Sequence, residues 1–88
     1  MDNTELLTEL LDLALRLGLE VRQEFLGGNG GGLCRLRGRQ VLFVDTAAAE
    51  VEQMAQTATV LAGLDELENH YITPQLRETL DRYADPSH

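Results

Sequence analysis

The chain is poor in cysteine, in positive charge and in long apolar runs. Its single cysteine, Cys34, has no partner for an internal disulfide, which predicts a reducing, cytoplasmic setting. No apolar run approaches the roughly 20 residues that cross a bilayer, so no membrane association is expected. The first residues, MDNTELLTELLDL, are acidic where a signal peptide is basic, so we expect no secretory leader.

Lysine is absent, and all seven positive charges are arginines. The 88 residues carry a net charge of −8, which repels the phosphate backbone of nucleic acids, so no nucleic-acid partner is expected. The charge is unevenly distributed. Residues 33–44 carry three arginines and no acid, whereas the segments before and after them carry net charges of −4 and −7. A basic segment of this kind is typical of internal charge balance at a solvated sheet edge.

Motifs for phosphate binding, metal binding and catalysis are also missing. The glycine-rich segment 27–32, GGNGGG, lacks the GK[ST] ending of a P-loop and the GxGxxG spacing, and a strand pattern follows it. The acidic cluster at 65–70 fits a solvated turn better than a zinc site, which needs three or four fixed ligands. No nucleophile has an evident acid–base partner. We therefore predict no metal site and no cofactor, and the balance leans away from an enzyme.

Hydrophobic periodicity predicts one α+β domain over residues 1–84 and a frayed C-terminal tail at 85–88. The expected architecture is a helix, a three-stranded antiparallel meander and two C-terminal helices. Asp45 or Thr46 is expected to cap the second helix, because both side chains accept amide hydrogen bonds at helix starts. The predicted helices cover residues 4–17, 47–62 and 74–83, and the predicted strands cover 19–26, 33–37 and 40–44.

The second and third predicted strands form a hairpin. Gly38 and Arg39 are the expected turn, because glycine at the first loop position suits a type II′ turn. This register places Cys34 opposite Phe43, where a buried cysteine is the expected outcome. Residues 41–44 are apolar on both faces, which indicates cover on both sides of the strand.

Five of the eight glycines lie in segment 27–32. Such a segment either holds a ligand against bare backbone or forms a turn whose geometry excludes a Cβ atom. The second interpretation predicts a flexible connection between the first two strands. The first, combined with the nearby arginines, predicts an anion site. Its candidate ligand-binding residues are Gly28, Asn29, Gly30, Gly31, Arg35, Arg37 and Arg39.

The first predicted helix is apolar over about 200° of its circumference, which is wider than the stripe of an ordinary surface helix. One sheet and three short helices are not expected to cover this surface together with the strand at 41–44. We therefore predict binding to a second copy or to another protein. The candidate interface residues are Leu7, Leu11, Leu15, Leu42 and Val44.

Two resemblances accompany this reading. The run GGLCRLRGRQVLFVD, the helix after it and HYITPQLRETL resemble short uncharacterised bacterial proteins with a glycine–cysteine hairpin, over about residues 17–80. The order helix, three strands, helix also resembles the core of zincin metallopeptidases of the ImmA/IrrE type. In those enzymes the helix after the last strand carries HExxH. Here it reads AAAEVEQMAQTATVLAG, without histidine, so peptidase activity is not implied.

The leading hypothesis is a non-enzymatic cytoplasmic interaction or assembly module that forms a homo-oligomer. The alternative is a small anion or ligand binder, or an enzyme, that uses loop 27–32 and the three arginines of residues 33–44. A third hypothesis, a toxin, antitoxin or regulator in a larger complex, is compatible with the first, since an acidic surface attracts a basic partner.

Overall fold

The computed structural model describes residues 2–84. These residues form three α-helices, a 3-10 helix and one three-stranded sheet, so the predicted α+β class is confirmed. The predicted tail at 85–88 lies outside the described residues. The elements are α1 (Asn3–Arg16), β1 (Glu20–Glu24), β2 (Gly32–Leu36), β3 (Arg39–Asp45), α2 (Glu50–Ala62), a 3-10 helix (Asp65–Asn69) and α3 (Pro74–Tyr83).

The strands lie in the order β1-β3-β2, with β3 in the centre. β1 runs parallel to β3, and β2 runs antiparallel to it. The predicted antiparallel meander is therefore wrong, because β1 pairs with β3 and not with β2. Glu24 lies beside Asp45 and Gly32 lies beside Phe43, so residues 25–31 cross the carboxyl end of β3. Because this crossing places β2 on the far side of β3, β1 can pair with β3 in the parallel direction.

The β2–β3 hairpin turns at Arg37 and Gly38, one residue earlier than predicted. Both have positive φ, 52° and 79°, as a type I′ turn requires. Leu36 consequently pairs with Arg39, and Cys34 pairs with Val41. The pairing differs from the predicted register by two residues, so each side chain stays on its predicted face.

Local signals explain where α1 and α3 begin. The Asp2 carboxylate accepts a hydrogen bond from the Glu5 amide at 2.8 Å and caps α1. The predicted start of the last helix is confirmed: Thr73 is the cap and Pro74 occupies the first turn. The starts of α1 and α3 therefore follow from short sequence patterns.

The helices pack together on one face of the sheet. α1 contacts α2 and β1, while α2 also contacts α3 and the strands β2 and β3. The sheet contributes Leu42 and Val44 to this core, and the strand-flanking Leu19 joins them. The helical residues of the core that are at most 1% exposed are Leu10, Leu13, Ala14, Ala58, Leu61, Leu76 and Leu80.

Candidate functional site

Asp45 is the last residue of β3 and is fully buried. Its Oδ1 accepts hydrogen bonds from the amides of Leu26 and Ala47, both at 2.9 Å. Its Oδ2 accepts from the amides of Gly28 at 2.7 Å and Gly30 at 3.0 Å. Four donors match the acceptor capacity of a carboxylate. The glycine-rich loop therefore folds around an anion that belongs to the chain itself.

Two opposing effects act on the pKa of Asp45. Burial raises this pKa because it disfavours the charged form, whereas the hydrogen bonds from the four amides lower it. The hydrogen bonds outweigh burial, and the pKa of Asp45 lies below its ordinary value. The side chain is consequently ionised at neutral pH, when it acts only as an acceptor.

The predicted role of Asp45 or Thr46 as the cap of the second helix is wrong. α2 begins at Glu50, and the residue at its N-cap position, Ala49, offers no side-chain hydrogen bond. The Asp45 carboxylate is turned back toward the loop that crosses β3, because the unpaired amides of that loop lie within reach.

Close packing requires glycine at two positions of the loop. A Cβ atom at Gly30 would lie 2.5 Å from Cβ of Leu26. Gly31 has a φ of 98°, and a Cβ atom there would lie 3.3 Å from the backbone oxygen of Phe43. At these two positions the loop has the geometry that excludes a side chain, which is one of the two interpretations of the glycine-rich segment.

The sheet has a second face, opposite the helices. Successive side chains of a strand point to opposite faces. Leu42 and Val44 belong to the core with the helices, whereas Val41 and Phe43 do not. Within residues 2–84, helices therefore pack on one side of β3 only. We call the side that carries Val41 and Phe43 the open face.

Two hollows lie along the open face. The hollow at the hairpin end has a volume of about 550 Å³ and contains Val41, which its neighbours leave only 2% exposed. The hollow at the loop end has a volume of about 260 Å³ and a mostly apolar lining. The other residues of the first hollow are Glu20, Arg22, Leu36, Arg37 and Arg39, and those of the second are Leu26, Gly31, Cys34 and Phe43.

Three arginines and one glutamate surround the hollow at the hairpin end. Nε of Arg22 lies 2.6 Å from Glu20 Oε2, and Nη1 of Arg39 lies 3.5 Å from Glu20 Oε1. The hydrogen bond and charge of Arg22, followed by those of Arg39, lower the pKa of Glu20. Arg37 forms no ion pair within residues 2–84. This end of the open face therefore carries more positive than negative charge.

The structure separates the predicted ligand-binding residues into two groups. The loop residues Gly28, Asn29, Gly30 and Gly31 lie at the carboxyl end of β3, whereas the arginines lie at or beside the hairpin turn, at the other end of the sheet. Two of the loop amides already donate to the buried carboxylate, so an external anion must displace it. Ligand binding by Gly28, Asn29, Gly30, Gly31, Arg35, Arg37 and Arg39 stays a prediction.

The predicted interface residues are distributed between the core and the surface. Leu7, Leu42 and Val44 are buried in the core of this chain, and Leu11 is half-buried against that core. Leu15 is 58% exposed. The broad apolar surface of α1 is thus used largely within the chain, in contacts with α2, β1 and α3. An interface role for the five residues stays a prediction.

Cys34 was expected to be buried, and this expectation is wrong. Cys34 is exposed because it lies on the open face, where no helix of residues 2–84 packs. In the same part of the chain, no cluster of three or more histidine, cysteine, aspartate or glutamate side chains could hold a metal ion. None of the described helices is both long enough and apolar enough to cross a membrane.

Comparison of the chain with protein families, with curated proteins and with solved structures finds no match. The resemblances drawn from the sequence therefore stay predictions.

Sequence reasoning did not identify two parts of this site. The first is the carboxylate of Asp45 as the anchor of the loop, for which the signal was an aspartate at the end of an apolar strand in a chain that also has a glycine-rich segment. The second is which side of β3 forms the open face. Its signal was present, since residues 41–44 are apolar on both sides, but the pattern does not tell which side lacks a cover.

We expect Gly30→Ala to lower the free energy of unfolding by about 1–3 kcal/mol, because the added Cβ overpacks against Leu26 and moves the amide away from Asp45. Gly63→Ala is the matched control. Its φ is negative, and its nearest Cβ contact, with the Val60 oxygen, is 3.6 Å, so its effect should stay within about 0.5 kcal/mol. Urea unfolding of both variants measures the difference, and equal effects would refute the close-packing argument.

We expect Asp45→Asn to lower the Tm at pH 7 by about 5–15 °C, since an amide group places a donor against donor amides. The folded-state pKa of Asp45 is depressed, so its stabilisation is present above the unfolded pKa of about 3.9 and is lost as the pH falls below that value. Thermal unfolding between pH 7 and pH 2 should therefore show the two proteins converging below about pH 4. A difference that does not change with pH would contradict the role of the charge.

Proposed function

We propose that this chain is a non-enzymatic interaction module that binds a second copy or another protein through the open face. The observation that carries the proposal is that, within residues 2–84, helices pack on one side of the central strand and not on the side of Val41 and Phe43. Residues 41–44 of β3 are apolar on both faces, a pattern typical of strands that are covered on both sides. Here the helices cover only the side of Leu42 and Val44.

The apolar character of the open face supports a contact role. Phe43 is half-buried, while Leu36 and Leu26 are 45% and 39% exposed. Together with Cys34 they line adjoining hollows. Exposed apolar side chains beside surface hollows are found at many interaction sites of small domains.

The chemistry of the open face supports a role in binding over catalysis. Its one nucleophile is the Cys34 thiol, and the residues lining the two hollows include no histidine that would act as a base. Glu20, the carboxylate in the first hollow, is engaged by Arg22 and Arg39. A cytoplasmic setting, predicted from the single cysteine, belongs to the same proposal.

Self-association is the first form of this function to test. If two copies cover each other, the weight-average mass in sedimentation should rise above the monomer value of 9.8 kDa at micromolar concentration. Phe43→Ser should restore the monomer, because it removes apolar area from the open face. Val51→Ser, an exposed change on α2, is the control and should leave association unchanged. A monomer at every concentration would refute self-association.

Anion binding is a second candidate function, and the excess of arginine at the hairpin end supports it. In this case a titration with inorganic phosphate should shift the amide resonances of residues 34–40 more than those of α3, and Arg37→Gln should weaken the effect. Arg82→Gln is the matched control, because Arg82 lies on α3, where it pairs with Glu78, and does not line this hollow. Unmoved resonances across residues 27–40 would exclude this candidate.

A further inference from the structure

We infer that the open face binds one amphipathic helix of another protein, with acidic residues at the end that lies over the β2–β3 hairpin. The inference rests on the proposed function, in which the open face is the contact surface. Three features of the open face identify the occupant: its size, the spacing of the apolar residues that line its hollows and the position of its charges.

The size of the open face fits a single helix. Three strands spaced about 4.8 Å apart give a width of about 14 Å, and the five residues of β1 span about 17 Å. A helix with its side chains is about 10–12 Å wide. The projected area, about 240 Å², is small beside the roughly 800 Å² of accessible surface that each partner contributes to a standard stable interface, so a weak or transient contact is expected. The width of the face accommodates one helix and leaves no room for a second one beside it.

The spacing of the hollows matches the repeat of a helix. Val41 lies in the hairpin-end hollow and Phe43 in the loop-end hollow. Two residues along a strand correspond to about 7 Å. Positions i and i+4 of a helix are about 6 Å apart along its axis and lie on one side of it. Two apolar side chains separated by one helical turn therefore match the spacing of Val41 and Phe43, each of which lines one hollow.

The charges of the open face assign an orientation to the helix. Arg22, Arg37 and Arg39 line the hairpin-end hollow together with one carboxylate, that of Glu20, which pairs with Arg22 and Arg39. Glu24 lies on the same face at the opposite end of the sheet, where it is the neighbour of Asp45 in the β1–β3 register. Carboxylates on the bound helix are thus attracted to the hairpin end and repelled from the loop end.

Arg37 is the residue best placed to meet such a carboxylate. It has no ion pair within residues 2–84, and its φ of 52° lies in the left-handed region that residues other than glycine and asparagine seldom adopt. The net charge of −8 repels an acidic partner at long range, but salt screens that repulsion beyond about 8 Å at physiological ionic strength. At contact distance, the nearby guanidinium groups dominate.

A pair of designed peptides tests the inference on the full chain. Each has 15 residues with leucines at two positions one turn apart, and one carries glutamates in its first turn where the other carries lysines. Binding is followed through the amide resonances of the labelled protein at about 0.15 M salt. The glutamate peptide should shift the resonances of residues 20–24 and 34–43 and should bind at least about tenfold more tightly than the lysine peptide.

Charge-reversal variants give the matched control. Arg37→Glu should weaken binding of the glutamate peptide at least about tenfold and should improve binding of the lysine peptide. Arg82→Glu, an exposed arginine on α3, makes the same change of charge in the helical layer and should alter neither affinity. Circular dichroism of both variants verifies that they fold.

The possible outcomes separate this inference from the proposed function. Equal binding of both peptides, or concentration-dependent shifts at the open face without peptide, would overturn the acidic helix as occupant. Either result would leave the open face as a contact surface, occupied in the second case by another copy. If neither peptide nor self-association moves the resonances of the open face, both the inference and the proposed function fail.

Discussion

The arrangement of this sheet depends on one buried carboxylate. Asp45 lies at the end of the central strand and accepts hydrogen bonds from four backbone amides, three of them in the segment that joins β1 to β2. A buried carboxylate without such donors would be strongly unfavourable, and buried amides without an acceptor would be unfavourable as well. Each therefore satisfies the other, and the loop is held over the end of β3.

The path of this loop determines which strands become neighbours. Because residues 25–31 cross the carboxyl end of β3, β2 begins on the far side of that strand, and β3 becomes central. The glycines serve this crossing. At Gly30 the backbone approaches Leu26 too closely for a side chain, and at Gly31 the chain takes a left-handed conformation. Amides of this loop thus donate to an anion of the chain itself, the Asp45 carboxylate.

The same topology creates the open face. The three helices lie on one side of the sheet, and the side chains of β3 alternate between its two sides, so Val41 and Phe43 lie on the other side. There they lie between the charged residues of β1 and Cys34 on β2. The hairpin then adds Arg37 and Arg39 at one end. The two hollows and the uneven charge distribution of the open face are therefore consequences of strand order, and the proposed contact surface rests on them.

The amino-acid sequence by itself determined the local structure. The spacing of leucines in α1, the Thr73–Pro74 start of α3 and the alternation in residues 41–44 specify helices and strands because these signals act over a few residues. Only the tertiary structure decided the strand order, the partner of the Asp45 carboxylate and the side on which β3 lacks helices. Those features join residues that are distant in the chain: Leu26 and Asp45 are 19 positions apart, and the strand partners Glu20 and Val41 are 21 apart. A period of two is also the same whether a strand's neighbour is parallel or antiparallel.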